Sequence, residues 1–317
     1  TPAAAAIKGR ARGLPAALAL AFSLPGLAAA AGNGKGAMSD SWVFYTRSVG
    51  SAGTLGGSFT REAALVRTDA SIPGIPRIGF FRRAAAAGEW ERLAGLVRSL
   101  GAPRPSGVHR PGTPMVSLGI MAGGRAEVVH GQAEGALTPA EREVFGEVEK
   151  AVEEVMGHAH RALEARAAWD AAAVEPDDDL SVTFVISNPG LGPVPFVHPA
   201  SRGGGPSGLS VVLSRIGPDG AVVDAREVVF AGSEVAEVVA GRSVPGPAPE
   251  LVELAPGKEV SLRARTGVRL VPAAYRASAR IDVSAPPGAD EKAVAGTIGV
   301  DLPRLAVARE GEKGGKG

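Results

Sequence analysis

The chain contains no cysteine, and aromatic residues make up only 4% of it. The first absence excludes a disulfide framework, thiolate catalysis and cysteine-bound metal. Beyond residue 32 no stretch is long and apolar enough to span a bilayer. No basic stripe with interleaved aromatics occurs, so nucleic acid is not an expected partner. The nucleophile elbow Gly-x-Ser-x-Gly, the phosphate loop Gly-x-x-x-x-Gly-Lys-Ser/Thr and the dinucleotide fingerprint are all missing. The glycine-rich pieces at 50–57 and 203–208 do not lead from a strand into a helix, as a phosphate cradle must.

What is abundant is Ala, Gly, Pro, Val and Arg, the bias of a GC-rich coding sequence rather than of a special chemistry. A length of 317 residues suits about two domains. The stretch 180–301 organises the chain as short strands broken by Pro/Gly turns. In residues 180–187, Leu180, Val182, Phe184 and Ile186 alternate with Ser181, Thr183 and Ser187, the period-2 pattern of a strand with one buried side. Asn188-Pro189-Gly190 ends it in a turn. Residues 210–216 and 221–230 flank Gly217-Pro218-Asp219-Gly220, where Pro fixes φ and Gly tolerates the reversal, so the spacing predicts a hairpin.

Further strands are expected at 258–265, 275–284, 297–301 and 305–309. Six or seven strands with turns at this spacing predict an all-β immunoglobulin-like sandwich over 180–309. Tyr275 opens a late strand, where it would suit a corner tyrosine bonded to upstream backbone; the alternative is an ordinary half-buried strand residue.

Residues 42–169 read as an α+β domain. Strands are expected at 41–47, 59–66 and 78–82, with a glycine-rich turn at 49–57 and a Pro-rich break at 72–76. Trp90, Leu93, Val97 and Leu100 share one face of a helix predicted over 84–100 and stopped by Gly101. Residues 115–121 and 125–129 form a hairpin across Ala122-Gly123-Gly124. Thr138-Pro139-Ala140-Glu141 is a helix start, with Thr as cap, Pro in the first turn and Glu three residues on. This helix is expected to run to about Ala168, with Phe145, Val148, Val152 and Val155 as its buried stripe and Leu163 as an extension. Residues 170–179, with three consecutive aspartates, are expected to be an acidic linker, and 310–317 a disordered tail.

Lys8, Arg10 and Arg12 precede an apolar run and a small-residue site near Ala31, the layout of a signal peptide at 1–31, followed by a disordered linker at 32–41. Export to the periplasm or beyond follows from that reading. The alternative is that Met38 is the true start and the protein stays in the cytoplasm. Loss of residues 1–31 would change the formal charge from +1 to −2.

The histidines are His109, His130, His158, His160 and His198. Glu154, His158 and His160 form the one local group of ligand-type residues. On a regular helix His160 would lie roughly 200° round from His158, so the pair could not chelate. A solvated helix end is the plainer account. Asp177, Asp178 and Asp179 lack the alternating ligands and glycine of a calcium loop. No catalytic, cofactor or metal residues are therefore assigned. The most suggestive segment is the long loop 189–208, where Pro193, Pro195 and Pro199 stiffen the chain around Phe196, Val197 and His198. A stiff loop loses little entropy on docking, which makes these three a candidate protein-binding loop. The competing account has Phe196 and Val197 plugging one end of the sandwich.

Two resemblances bear on partners. Residues 42–156 resemble the emfourin family of protealysin inhibitors. They share an opening strand ending Tyr45-Thr46-Arg47-Ser48 before a glycine turn, a helix of the Glu89–Val97 type, a later hairpin and a closing helix. Val49-Gly50-Ser51 stands where that family has a double glycine and an aromatic, and no family site residues carry over. The second half is similar in layout to the intracellular proteinase inhibitor family, through residues 182–189, the 217–220 turn and Leu254-Ala255-Pro256-Gly257 before a strand. Both resemblances imply binding to a protein, in the sharpest form a metalloprotease. The expectation is a non-enzymatic protein-binding protein without cofactors. The alternative is an envelope-associated module that binds glycan or surface polymer; it requires an exposed aromatic platform, whereas Trp42, Trp90 and Trp169 sit where packing or helix termini account for them.

Overall fold

A computed structural model describes residues 41–48, 53–72, 74–104, 113–202, 206–244, 250–290 and 293–308. The expected signal peptide, the alternative start Met38, residue His109 and the tail 310–317 lie outside the described residues, as does all but the last residue of the 32–41 linker.

The described chain is mostly β, with two helices. Strands β1 (Ser41–Ser48), β2 (Thr54–Phe59), β3 (Ala63–Thr68) and β4 (Arg77–Ala84) precede α1 (Glu89–Ser99). The hairpin β5 (Met115–Ala122) and β6 (Arg125–Ala133) leads to α2 (Pro139–Met156). There follow β7 (Ala159–Trp169), β8 (Ala173–Val174), β9 (Asp179–Ser187), β10 (Val194–Val197), β11 (Pro206–Ile216) and β12 (Val222–Ala231). The remaining strands are β13 (Val235–Val239), β14 (Arg242–Val244), β15 (Leu251–Leu254), β16 (Glu259–Gly267), β17 (Ala273–Val283) and β18 (Gly296–Val307).

One sheet of eleven strands runs through both halves, in the order β14-β13-β16-β9-β7-β4-β3-β2-β1-β5-β6. A second sheet, β12-β11-β17-β18-β8, faces it, and β10 pairs with β15 in a short ribbon. The long sheet is covered on opposite faces in its two halves. Neighbouring residues of β7 show this: Ala162 belongs to the core under the helices, and Leu163 to the core between the sheets. Alternation along a strand sends successive side chains to opposite faces, so β7 contributes to both. Phe184 of β9 meets Phe230 of β12 edge to face across the inter-sheet core, with centroids 6.1 Å apart.

The second helix starts as its sequence requires. The Thr138 side chain accepts from the Glu141 N–H, and Glu141 reaches back to the Thr138 N–H. Its end does not follow the sequence. The helix stops at Met156 rather than near Ala168, and residues 159–169, rich in good helix formers, are strand β7. Pairing with β4 on one side and β9 on the other overrides intrinsic propensity, since both ladders would be lost if this segment coiled. Leu163, read as an extension of the helical stripe, is accordingly a sheet residue.

Residues 170–179 join two neighbouring strands of the long sheet. Asp170 accepts hydrogen bonds from Ser181 and Thr183, both at 2.7 Å, and pairs with Arg263 at 2.9 Å, so these acids are partly engaged within the sheet. The glycine-rich 54–57, expected as turn, is strand β2. The reason is space: a Cβ on Gly57 would stand 3.1 Å from Val152, so glycine lets α2 lie close on the sheet. A turn at 60–62 divides the strand expected over 59–66 between β2 and β3. The first helix begins at Glu89 because residues up to Ala84 extend β4. The closing strands expected at 297–301 and 305–309 are one strand, β18, which passes Pro303 with a register shift opposite Tyr275 and Ala277.

Candidate functional site

The candidate loop is tied down from its first residue. Asn188, fully buried, donates from Nδ2 to the carbonyls of Gly192 (2.9 Å) and Leu254 (2.7 Å) and accepts the Gly190 N–H at Oδ1 (2.8 Å). Its backbone N–H reaches the Lys258 carbonyl and its carbonyl receives the Gly257 N–H. Both the Leu191 and Gly192 N–H groups donate to the His160 carbonyl of β7. The loop is thus stapled to the turn before β16 on one side and to the long sheet on the other. Sequence reading took Asn188 as a turn former only; an Asn opening a Pro-Gly turn is the signal that its side chain closes the turn.

Beyond the staple, β10 pairs antiparallel with β15, matching Val194 to Leu254, Pro195 to Glu253, Phe196 to Val252 and Val197 to Leu251. Opposed residues share a face, so Val194, Phe196 and Leu254 enter the core while Pro195, Leu251 and Glu253 face out. Phe196 is 0% exposed and packs in the inter-sheet core. Val197 is half-buried and its N–H donates to the Ser284 carbonyl.

His198 is 1% exposed. Its Nδ1 accepts the Ala200 N–H at 3.1 Å, so the imidazole is neutral with its proton on Nε2. Burial holds its pKa below the ordinary 6.5, with Glu237 opposing. The three singled-out residues therefore anchor the loop, and the side chains open to a partner are those beside them.

Those neighbours form a cleft of about 500 Å³. Pro193 and Pro195 from the loop, Leu251 and Glu253 from β15, and Pro286 and Pro287 after β17 line it, with Arg161 of β7 reaching in. Leu191 is 79% exposed in the same loop, and Leu251 48% exposed at the cleft. Arg161 and Glu253 make no ion pair among the described residues. The cleft thus combines proline walls, an exposed aliphatic side chain, the Arg161 guanidinium and the carboxylates of Glu253 and Asp290.

The other positions singled out by sequence lie elsewhere. His158 follows α2 and His160 lies on β7, both exposed, while Glu154 reaches Arg83 at 3.5 Å. His130 is buried in β6, with its pKa lowered by burial against an opposing pull from Glu141. Among the described residues no group of three or more His, Asp or Glu side chains could hold a metal ion. Trp90 is buried, with the guanidinium of Arg61 4.2 Å above its ring. The exposed large apolar side chains among the described residues are Leu and Val.

At the end of β1, Arg47 donates to both oxygens of Glu134 (2.9 and 3.1 Å) and lies 3.7 Å from Glu149, so its charge is directed inward along the protein's own acids. A second cleft, about 370 Å³ between α1 and α2, contains Arg104, but that guanidinium is committed to Glu141.

Searches against family models and against curated proteins match nothing. Among solved structures, the chain is similar to the macrocyclization enzyme AvmM of alchivemycin A biosynthesis, at 13% identity and a TM-score of 0.27 over 48% of this chain and 91% of that one. It is similar to the sporulation control protein Spo0M of Bacillus subtilis, at 10% identity and 0.25 over 47% and 50%. It is also similar to a PapD-like domain of human CEP192, at 12% identity and 0.24 over 47% and 86%. All three scores are too low to bear on function.

Proposed function

We propose that this protein is a non-enzymatic binding protein, and that it takes an extended polypeptide segment in the cleft beside the β10–β15 ribbon. The observation that carries this is a stiff, proline-walled cleft whose flanking loop is stapled at its start, by Asn188 to the turn before β16 and by the His160 carbonyl to the long sheet. Prolines and a fixed loop lower the ordering cost of association, and the exposed Leu191 and Leu251 offer apolar area to a partner. In this reading residues 180–309 are an immunoglobulin-like sandwich, supported by the two facing sheets and by the Tyr275 hydroxyl donating to the Val271 carbonyl four residues upstream at 3.1 Å. Residues 42–169 are its α+β companion.

The sharper version, inhibition of a thermolysin-like metalloprotease, rests on the family resemblances. A protease panel assayed with micromolar protein tests it, and the absence of inhibition removes it. The broader reading is tested by panning displayed peptides on the full chain. Bound peptides should be lost with Leu191→Asp and with Arg161→Glu; retention in both variants would overturn the cleft assignment. Glycan binding is the less supported reading, because the exposed apolar side chains among the described residues are aliphatic.

A further inference from the structure

The last strand of the five-stranded sheet, β12, is an open edge. It pairs with β11 on one side, and among the described residues no backbone group of 222–230 bonds to a strand on the other. Residues 222–227 and 229 are all exposed, including Val222 (53%), Val223 (58%) and Val229 (51%). An exposed edge carrying valines invites another strand, and proteins normally blunt such edges with proline, a bulge or inward-pointing charge. The ladder to β11 slips at Val222–Asp224 and again beyond Val229, which leaves 224–229 as its regular part. Over that regular part the device is charge. Val228 and Phe230 mark the inner face of β12, and alternation puts Asp224 and Arg226 on that face as well.

Those charges discourage a generic strand, because a neutral partner offers them no opposite charge across the ladder and a like-charged one repels them. One strand satisfies them. We propose that β12 of a second copy of this chain pairs antiparallel with it, joining the two five-stranded sheets across a twofold axis at Ala225. The register follows from geometry. A twofold axis normal to the sheet keeps inner faces together, so directly opposed residues must both be even-numbered or both odd-numbered. Centring on Ala225 sets Asp224 against Arg226 of the other copy, twice by symmetry. Neighbouring in-phase registers set Asp224 on Asp224, Arg226 on Arg226 or Glu227 on Glu227, and like charges opposed across a ladder destabilise it.

The test is a charge-swap series on the full chain, followed by sedimentation velocity up to about 100 µM, a concentration at which even weak specific pairs associate. Circular dichroism checks that these exposed substitutions leave the fold intact. Wild type is expected to dimerise. Asp224→Arg alone and Arg226→Asp alone should each weaken self-association by about tenfold or more, since each sets like charges against each other twice. The double variant Asp224→Arg/Arg226→Asp restores the complementarity and should dimerise again. Mixing the two single variants should give a heterodimer. A monomeric wild type overturns the proposal, and so does a dimer that both single swaps leave intact, because that dimer uses another surface.

Discussion

A Cβ on Gly296 would stand 1.8 Å from the carbonyl oxygen of Asp69. These two residues lie at one of the places where the halves of the chain meet outside the shared sheet. The Asp69 carbonyl accepts the Thr297 N–H (2.9 Å), the Thr297 carbonyl accepts the Ser71 N–H (3.0 Å), and the Ser71 hydroxyl accepts the Gly299 N–H (2.7 Å). The edge between β3 and β4 is thereby sewn to the start of β18.

Replacing Gly296 by alanine should destabilise the protein strongly. Its φ of +142° is one that side chains rarely adopt, and the new carbon would meet backbone that cannot swing away. A loss of about 3 kcal/mol is expected from strain of this kind, read from urea unfolding. Ser71→Ala, which removes one hydroxyl acceptor at the same seam, should cost about 1 kcal/mol. Equal effects from the two would show that the close approach is not the constraint.

Asn188 gives a second prediction, distinguished by charge rather than size. Asn188→Ala removes three side-chain hydrogen bonds at a fully buried position and should cost about 3 kcal/mol. Asn188→Asp should be worse than alanine, although it is nearly isosteric. The ionised carboxylate would point at the carbonyl oxygens of Gly192 and Leu254 without a donor to offer them. Thermal unfolding of the two variants at neutral pH decides it: an aspartate variant as stable as wild type would mean that Nδ2 does not hold the loop.

Tyr45 and Glu149 provide a third. The phenol donates to the carboxylate at 2.5 Å from a ring with no exposure, and burial, with Glu149 adding to it, raises the phenol pKa far above 10. A raised folded pKa means that this contribution is complete below the unfolded value near 10 and declines as pH climbs past it. Tyr45→Phe should cost about 1–2 kcal/mol at neutral pH, with coupling to Glu149→Gln in a double-mutant cycle. The ultraviolet difference spectrum between wild type and Tyr45→Phe should show no phenolate band until the alkaline transition unfolds the chain.

These sites differ in how far the sequence announces them. Period-2 alternation in 180–187 and the Pro218-Asp219-Gly220 turn are local signals, and β9 and the β11–β12 hairpin stand where those signals put them. The helix start at Thr138 is equally local, since cap and Glu141 lie three residues apart. Strand β7 is not local. Its residues are good helix formers, and only the ladders to β4 and β9, formed by segments remote in sequence, make it a strand. The short strands β10 and β13–β15 have too few residues to show a period. The proline-walled cleft unites Arg161 with residues 193–195, 251, 253, 286–290 and 293–294, a juxtaposition that no spacing along the chain encodes.

The histidines at the centre of β6 and at the head of the candidate loop predict the acid behaviour. His130 and His198 both titrate below the ordinary 6.5 because burial disfavours their charged forms. In the unfolded chain they take up protons near 6.5, so between that value and their lower folded values the unfolded state binds more protons. Stability is therefore fully present above about 6.5 and falls as pH drops through the folded values. For His198 the local consequence is specific. A proton on Nδ1 would face the Ala200 N–H that now donates to it, so acid should loosen the turn at 199–202 before the rest of the fold. The carboxylates act lower. At Glu141, burial raises the pKa but the Arg104 guanidinium and Thr138 outweigh it, so its contribution is lost only as pH falls below about 4.5. Urea midpoints measured from pH 8 to 5 should decline in wild type and decline less in His130→Gln and His198→Gln, and least in the double variant. Hydrogen exchange at the Ala200 and Ser201 amides should accelerate on acidification ahead of the β9 amides. An unchanged slope in the double variant would show that other groups govern this window.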